Sequence, residues 1–370
     1  MNITSGDSLD GVLLTPCRPQ ELADLLPEAL AGRRVLAPLG PEAERELAML
    51  RPELPVAEPG AAVVVSTSGS TGAPKGAVLS AAALEAAARS TQQVLGRRTW
   101  TCPLPTHYVA GLMVLVRAHV DGTRVRMAAS DLSDLDPAPG ANAISLVPTQ
   151  LFRALERPEV LQRLRRYTVL LGGAAVDPAV LQQAREAGLD VRTTYGMSET
   201  CGGCVWDGEP LPGVEVRLDD QQRIALAGEM VFSGYRLQPE LTGQVLQQEA
   251  GRRSVLTSDR GELHQGRLRL LGRVDDVVVS GGVNVDLARV QRAVEALAPG
   301  SSQVLALPDV EWGRLVVLAT TTEHDLAWWR EQLSGELGRA ALPRRVVRLD
   351  VLPRTSSGKI DRQALLRQLA

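Results

Sequence analysis

The stretch STSGSTGAPKG, residues 66–76, gathers glycines, hydroxyls and a lysine directly behind the apolar run AAVVV. Backbone N–H groups, hydroxyls and one ammonium in so short a span can wrap phosphate oxygens. The same composition also suits a flexible turn leaving a buried strand. It departs from the Walker pattern G-x-x-x-x-G-K-[ST], because Gly69 to Lys75 reads GSTGAPK and Gly76 follows. Pro74 disfavours helical geometry at Ala73, and Gly76 weakens any helix begun at Lys75, so the loop is not expected to be a helix N-terminus.

Lysine is scarce. Among the 40 lysines and arginines only Lys75 and Lys359 are lysine, and both sit in Gly/Ser-rich stretches, GSTGAPKGA and TSSGKID. A compact ammonium on a flexible stem is a different tool from the planar guanidinium that fills the other positions. Both lysines are therefore candidates for charge chemistry, with chance retention in two exposed loops as the plain alternative. CGGC (201–204) has redox or metal spacing, but no second CxxC and no histidine cluster accompanies it, and it reads better as a pocket wall.

These residues need a frame, and 370 residues are enough for two domains. Short Val/Ile/Leu runs alternate with helical stretches through the first two thirds, the pattern of an α/β sheet covered by helices. AAVVVST (61–67) predicts a buried strand. Beyond the loop, Ser80 to Gly96 predicts a capped helix, so the implied order is strand, phosphate-type loop, helix. The alternation returns in AISLVP then TQLFRALER, in YTVLLGG then DPAVLQQAREAG, and in VRTTYG; ligands in such sheets gather at the carboxyl ends of strands.

From about 211 to 271 the runs VEVRL, RIALA, EMVFSGY and RLRLLG predict a small antiparallel subdomain. After GRVDDVVVSGG (272–282) come a helix at 286–297, strands at 303–307 and 314–320, a helix at 325–338 and a strand at 345–350. This predicts a large α/β domain over 1–273 and a small α+β domain over 274–370.

A net charge of −3 and 3% aromatics supply neither the basic stripe nor the stacking platform of a nucleic-acid binder. No window approaches the roughly 18 apolar residues of a membrane span, and the polar, acidic start MNITSGDSLDGVLL is unlike a signal peptide. Four cysteines in a chain of this size do not make a disulfide framework. The expectation is a cytoplasmic protein acting on small molecules, with no nucleic-acid partner and no membrane insertion; a homodimer is left open.

Seven stretches in order, STSGSTGAPKG (66–76), LPTHYVAG (104–111), LLGGA (170–174), TYGMSET (194–200), TSDRGEL (257–263), GRVDDVVVSGG (272–282) and PRTSSGKIDR (353–362), resemble those of the acyl-adenylate-forming (ANL) ligases. That family comprises acyl-CoA synthetases, peptide-synthetase adenylation domains and luciferases. The resemblance covers nearly the whole chain. It implies a large N-terminal domain, a small mobile C-terminal domain, and two half-reactions: carboxylate plus ATP gives acyl-AMP and pyrophosphate, then a thiol displaces AMP.

By the same resemblance Thr67, Ser68, Gly69, Ser70, Thr71, Gly72 and Lys75 cradle the β- and γ-phosphates, and Lys359 lies between the carboxylate and the α-phosphate. Glu199 holds Mg²⁺, while Tyr195 and the backbone of Gly172, Gly173 and Ala174 flank the adenine, with Thr194, Gly196, Met197 and Ser198 also at the nucleotide. Asp259 accepts from the ribose hydroxyls and Arg273 supports the ribose or phosphate. His107, Ser198 and Thr200 face the acyl group, His107 as wall and gate rather than proton shuttle. Asp275 is the hinge, and Gly281 and Gly282 line the thiol tunnel. SLVPTQLFRAL (145–155) and TYGMSETCGGCVWDG (194–208) are most similar to the o-succinylbenzoate:CoA ligases of menaquinone synthesis. The implied partners are therefore 2-succinylbenzoate, ATP and CoA. No LGG(H/D)S carrier segment follows Lys359, which favours CoA over a carrier protein as acceptor.

Overall fold

The computed structural model describes residues 12–68, 74–249, 251–354 and 360–369. Gly69, Ser70, Thr71, Gly72 and Lys359, all expected at the site, lie outside the described residues. The chain divides into two compact units: one holds the chain up to Gly173 together with Ala184–Glu215 and Leu226–Val255, and the other holds Ala174–Gln183, Val216–Ala225 and everything from Leu256 onward.

The first unit contains two sheets. One runs Leu14–Cys17, Val35–Pro38, Ala61–Ser68, Pro74–Ser80, Gly234–Tyr235, parallel across its first three strands and antiparallel thereafter. The other has seven strands in the order Glu209–Pro210, Gly202–Trp206, Asp190–Met197, Tyr167–Leu171, Asn142–Leu146, Thr99–Cys102, Arg126–Met127, parallel from Asp190–Met197 onward. The unbroken apolar runs read in the sequence are central strands covered on both faces. Val63, Val64, Val65, Ala77, Val78 and Leu79 have no exposed surface, and each Val or Leu so buried is worth about 1.5–3 kcal/mol. The helix Ala81–Leu95 starts and stops where its capping residues predict. The Ser80 hydroxyl accepts from the Ala83 N–H at 3.1 Å, and Gly96 ends the helix at φ +69°.

Two expectations are corrected in this unit. The chain does not pass from the loop into a helix. It returns as the strand Pro74–Ser80, paired with Ala61–Ser68 in the register Thr67↔Lys75, Ser66↔Gly76 and Val64↔Val78. Its apolar residues Ala77, Val78 and Leu79 are fully buried there, and the helix follows only after Ser80. The run EMVFSGY likewise does not join an antiparallel subdomain, because Gly234 and Tyr235 pair with Val78 and Ala77 at the edge of the first sheet.

In the second unit the strand Arg267–Arg273 pairs with the later part of Arg252–His264, setting Asp259 opposite Arg273. A further sheet runs Val283–Asp286, Val277–Ser280, Gly313–Thr320, Ser302–Asp309, with Arg345–Arg348 parallel to Gly313–Thr320. The helices Leu287–Leu297 and Leu326–Leu333 cover one face through Val290, Val294 and Trp329, clustered with Leu318 of the sheet, and Arg362–Leu369 covers the other through Leu365 and Leu369. The α+β character matches the expectation. Packing groups residues from Leu256 onward with these elements because the strand Arg267–Arg273 leans on the helix Leu287–Leu297. The Arg292 guanidinium donates to the Leu271 carbonyl at 2.8 Å, and a Cβ on Gly272 would stand 2.6 Å from that of Ala288.

One buried cation staples the first sheet. Arg236 is 2% exposed, and its guanidinium donates to the carbonyls of Leu50 (2.5 Å), Arg51 (2.9 Å), Leu54 (2.6 Å) and Pro55 (3.1 Å). These include the end of the helix Ala43–Leu50, whose last carbonyls have no intrahelical partner. Replacing Arg236 by Met keeps the stem and strands the four carbonyls, so urea unfolding should show a loss of about 3 kcal/mol.

Candidate active site

Lys75 is the second residue of the returning strand Pro74–Ser80, opposite Thr67. The Lys75 ammonium donates to the Tyr235 hydroxyl at 3.1 Å and stands 4.3 Å from the centre of that ring. The Tyr235 hydroxyl in turn donates to Glu199 Oε1 at 2.5 Å. One phenol therefore joins the cation and the carboxylate that the sequence singled out. Burial first, then the charge of Glu199 and the hydrogen bond to it, push this phenol well above its ordinary range, so it keeps its proton.

Glu199 is held from below. It sits in the 3₁₀ turn Ser198–Thr200, where Thr200 has no exposed surface. The Thr200 hydroxyl accepts from the Met197 N–H at 3.0 Å and lies within hydrogen-bond distance of the carbonyls of Met197 and Gly202. The Phe232 N–H donates to the Glu199 carbonyl at 2.9 Å. The Thr200 hydroxyl, expected near the acyl group, is thus bonded within the turn. Ser198 precedes Glu199 in the same turn, and Met197, the last residue of the strand, is its N-cap.

Two glycines of the expected adenine wall are required by close approach. A Cβ on Gly172 would lie 2.3 Å from Thr194 Oγ1, and one on Gly196 would lie 2.0 Å from the Gly202 carbonyl oxygen. The Thr194 hydroxyl donates to the Leu171 carbonyl at 3.3 Å, tying together the carboxyl ends of two neighbouring strands. Tyr195 follows on the strand Asp190–Met197, paired with Val205. Gly173 is the last residue of its segment in this unit, and Ala174 belongs to the second unit.

His107 is buried, its ring centred 4.2 Å from that of Tyr108. Neither ring nitrogen has a hydrogen-bond partner among the described residues. A Cβ on Gly40 would come within 2.8 Å of the imidazole. Burial lowers the pKa, so the ring is neutral at pH 7, which suits a wall. Cys201 and Cys204 are buried. Burial pushes the Cys204 thiol up to about 12, and Cys201 rises for the same reason, so neither is poised for redox chemistry.

In the second unit Arg273 donates to Asp259 at 3.0 Å and, through two nitrogens, to both carboxylate oxygens of Asp275 at 3.0 Å each. Burial disfavours its charge, but the Asp275 hydrogen bonds and the charges of Asp259, Asp275 and Asp276 outweigh that and hold it protonated above the usual range. Asp276 takes Arg362 at 2.7 Å. Arg354 and Ile360, on either side of the 355–359 segment, form an isolated bridge. Gly281 (φ +58°) and Gly282 (φ +78°) are the central residues of the two-residue turn between Val277–Ser280 and Val283–Asp286. Both positions demand positive φ, and at Gly281 a Cβ would also stand 2.6 Å from the Trp312 ring.

The donor set at Glu199 fits magnesium. A single carboxylate offers hard oxygen, and among the described residues no group of three or more His, Cys, Asp or Glu forms a cage. Mg²⁺ is characteristically held by one or two carboxylates with water and phosphate completing its shell. The residue that sequence reasoning missed is Tyr235. Its available signal was rarity, as one of only four tyrosines, directly before the buried Arg236 and the polar run QPELT.

A lysine at a Gly/Ser-rich hairpin, a carboxylate at the end of a parallel sheet and a separate α+β unit define an α/β enzyme of the nucleotide-activating class. The chain matches the AMP-binding enzyme family over residues 18–239 and belongs to that family. It is 37% identical over 331 residues to the probable 2-succinylbenzoate–CoA ligase of Mycobacterium tuberculosis (strain H37Rv), covering 84% of this chain and 85% of that protein. Wild-type E. coli MenE with a bound m-phenylether-linked analogue of OSB-AMS matches with a TM-score of 0.72 at 26% identity, over 97% of this chain and 88% of that one. O-succinylbenzoate coenzyme A synthetase (MenE) from Bacillus subtilis, in complex with ATP and magnesium ion, matches with a TM-score of 0.70 at 26% identity, over 84% and 70%.

The buried imidazole makes stability depend on pH. His107 has a depressed pKa in the folded state, so the unfolded chain, near 6.5, binds the proton first. Stability should be fully present above about pH 6.5 and fall as the pH drops toward the folded value. Melting temperatures from pH 7.5 to 5 should show that slope, and His107→Phe should flatten it.

Proposed function

We propose that the chain ligates 2-succinylbenzoate to CoA through an acyl-adenylate, releasing AMP and pyrophosphate. The observation that carries this reading is the Lys75–Tyr235–Glu199 arrangement at the rim of an AMP-binding enzyme. The choice of acid is supported by the 37% identity, over most of both chains, to a probable 2-succinylbenzoate–CoA ligase.

A carboxylate repels nucleophiles and lacks a leaving group. In the first step a carboxylate oxygen bonds to the α-phosphorus of ATP while the α–β bridging bond breaks and pyrophosphate departs. In the second the CoA sulfur bonds to the acyl carbon and AMP departs. Lys75 and the 67–72 segment hold the β- and γ-phosphates, and Glu199 holds Mg²⁺, which screens phosphate charge when bound. Gly172–Ala174 and Thr194–Ser198 border the adenine, and His107 walls the acyl group. Asp259 takes the ribose hydroxyls as an acceptor-only carboxylate, with Arg273 beside it. Lys359 stabilises the charge that develops between the two anions during adenylation.

The domains on this reading are 1–273 and 274–370. Asp275 is the hinge between half-reactions, and Gly281 and Gly282 line the path of the thiol. The enzyme works in the cytoplasm; among the described residues no helix is long and apolar enough to cross a membrane.

Two measurements test this. Purified protein with Mg·ATP, CoA and 2-succinylbenzoate should form the thioester, whereas turnover only of a different acid would move the substrate, and ATP binding without pyrophosphate exchange for any acid would make the chain a non-catalytic binder. Lys359→Ala should lower carboxylate-dependent ATP–pyrophosphate exchange by about 10²–10³-fold. Thioester formation from supplied acyl-AMP should change little, and equal loss of both steps would contradict the assigned role.

A further inference from the structure

We propose that Tyr235 is a positioning residue that keeps Lys75 and Glu199 apart and aimed outward for the magnesium–triphosphate. This rests on the proposed function, in which those two groups meet ATP and Mg²⁺. An ammonium and a carboxylate at one rim would otherwise close on each other as an ion pair, and each would then mask the charge the ligand needs. The Tyr235 hydroxyl stands between them, accepting from Lys75 at 3.1 Å and donating to Glu199 at 2.5 Å. It takes one of the three donors of an ammonium and one of roughly four acceptor sites of a carboxylate. Its ring face, 4.3 Å from the lysine nitrogen, limits where that flexible stem can go.

Tyr235 can act as a spacer because it is itself immobilised. Its N–H donates to the Thr242 hydroxyl at 2.8 Å, and its ring packs edge-on against Phe232 at 5.0 Å. Its neighbour Arg236 donates its backbone N–H to the Gly76 carbonyl at 2.8 Å. Arg236 also carries the four-carbonyl staple. The spacer, the lysine strand and the glutamate turn are thus fastened by backbone bonds that do not involve the charged groups.

The test is calorimetric titration of ATP at fixed magnesium, and of magnesium at fixed ATP, on the intact chain and on Tyr235→Phe, which keeps the ring and removes the hydroxyl. The variant should need roughly ten-fold more magnesium for half-maximal ATP binding, with KM for ATP in pyrophosphate exchange rising in step and kcat changing less. In a double-mutant cycle with Glu199→Gln the losses should fail to multiply, because both substitutions break one link. Magnesium dependence within two-fold of the parent, or fully multiplicative losses, would overturn the proposal. Lys75→Ala and Glu199→Gln alone separate the two levels. If both leave Mg·ATP binding unchanged, the placement of ATP and this proposal fall together; if both weaken it and Tyr235→Phe does not, only the tyrosine's role falls. A second readout uses the unaltered protein: of its four tyrosines, labelled at the ring carbon bearing oxygen, one resonance should move when magnesium joins bound ATP and stay still in Glu199→Gln. No responsive tyrosine would also overturn the assignment.

Discussion

The reactive rim of the first unit depends on the backbone of five residues, Phe232 to Arg236. Phe232 donates to the carbonyl of Glu199, Ser233 to that of Val78 and Arg236 to that of Gly76, while Gly234 and Tyr235 pair with Val78 and Ala77. The five residues therefore sew the turn that carries the carboxylate to the strand that carries the lysine. Each such bond is worth only about 1 kcal/mol net, but leaving any of these buried groups unpaired would cost more, so the register is strongly specified. Arg236 completes the seam by tying it to the end of the helix Ala43–Leu50.

That seam explains an economy in the choice of residues. Arginine serves where a planar fork can satisfy several carbonyls or carboxylates, as at Arg236 and Arg273. Of the two lysines, one is at the hairpin, and the other falls in the sequence between the bridged residues Arg354 and Ile360. In the second unit the same logic gives Asp259, Arg273 and Asp275 a shared guanidinium, and Asp276 holds Arg362 three residues beyond Lys359. The charged residues of that unit are thus fixed in pairs around the turn expected to be a hinge.

Much of this was legible in the chain because it is local. The helix Ala81–Leu95 is announced by Ser80 and Gly96, whose side chain and backbone freedom act within one turn. The strand runs Asn142–Leu146 and Tyr167–Leu171 were visible because every residue in them is buried and they are mostly apolar. The misreadings arose where pairing is between distant segments. KGAVL and EMVFSGY carry no periodicity that names their partners: KGAVL is a strand through its pairing with Ala61–Ser68, and Gly234–Tyr235 joins the sheet by pairing with Val78 and Ala77.

By itself the sequence determined the chemical inventory: two lysines, the glycine-rich loop, the glutamate after TYGMS, the Asp–Arg pair, and the order of motifs that identifies an adenylating enzyme. Which residue joins the lysine to the glutamate was decided only by the tertiary structure. Tyr235 is 160 positions from Lys75 and 36 from Glu199, a separation across which no spacing rule operates. The same holds for Thr200, whose buried hydroxyl is tied to the Gly202 carbonyl by a bond that only the folded chain shows. Local signals set which groups are available; long-range backbone pairing sets which of them face one another.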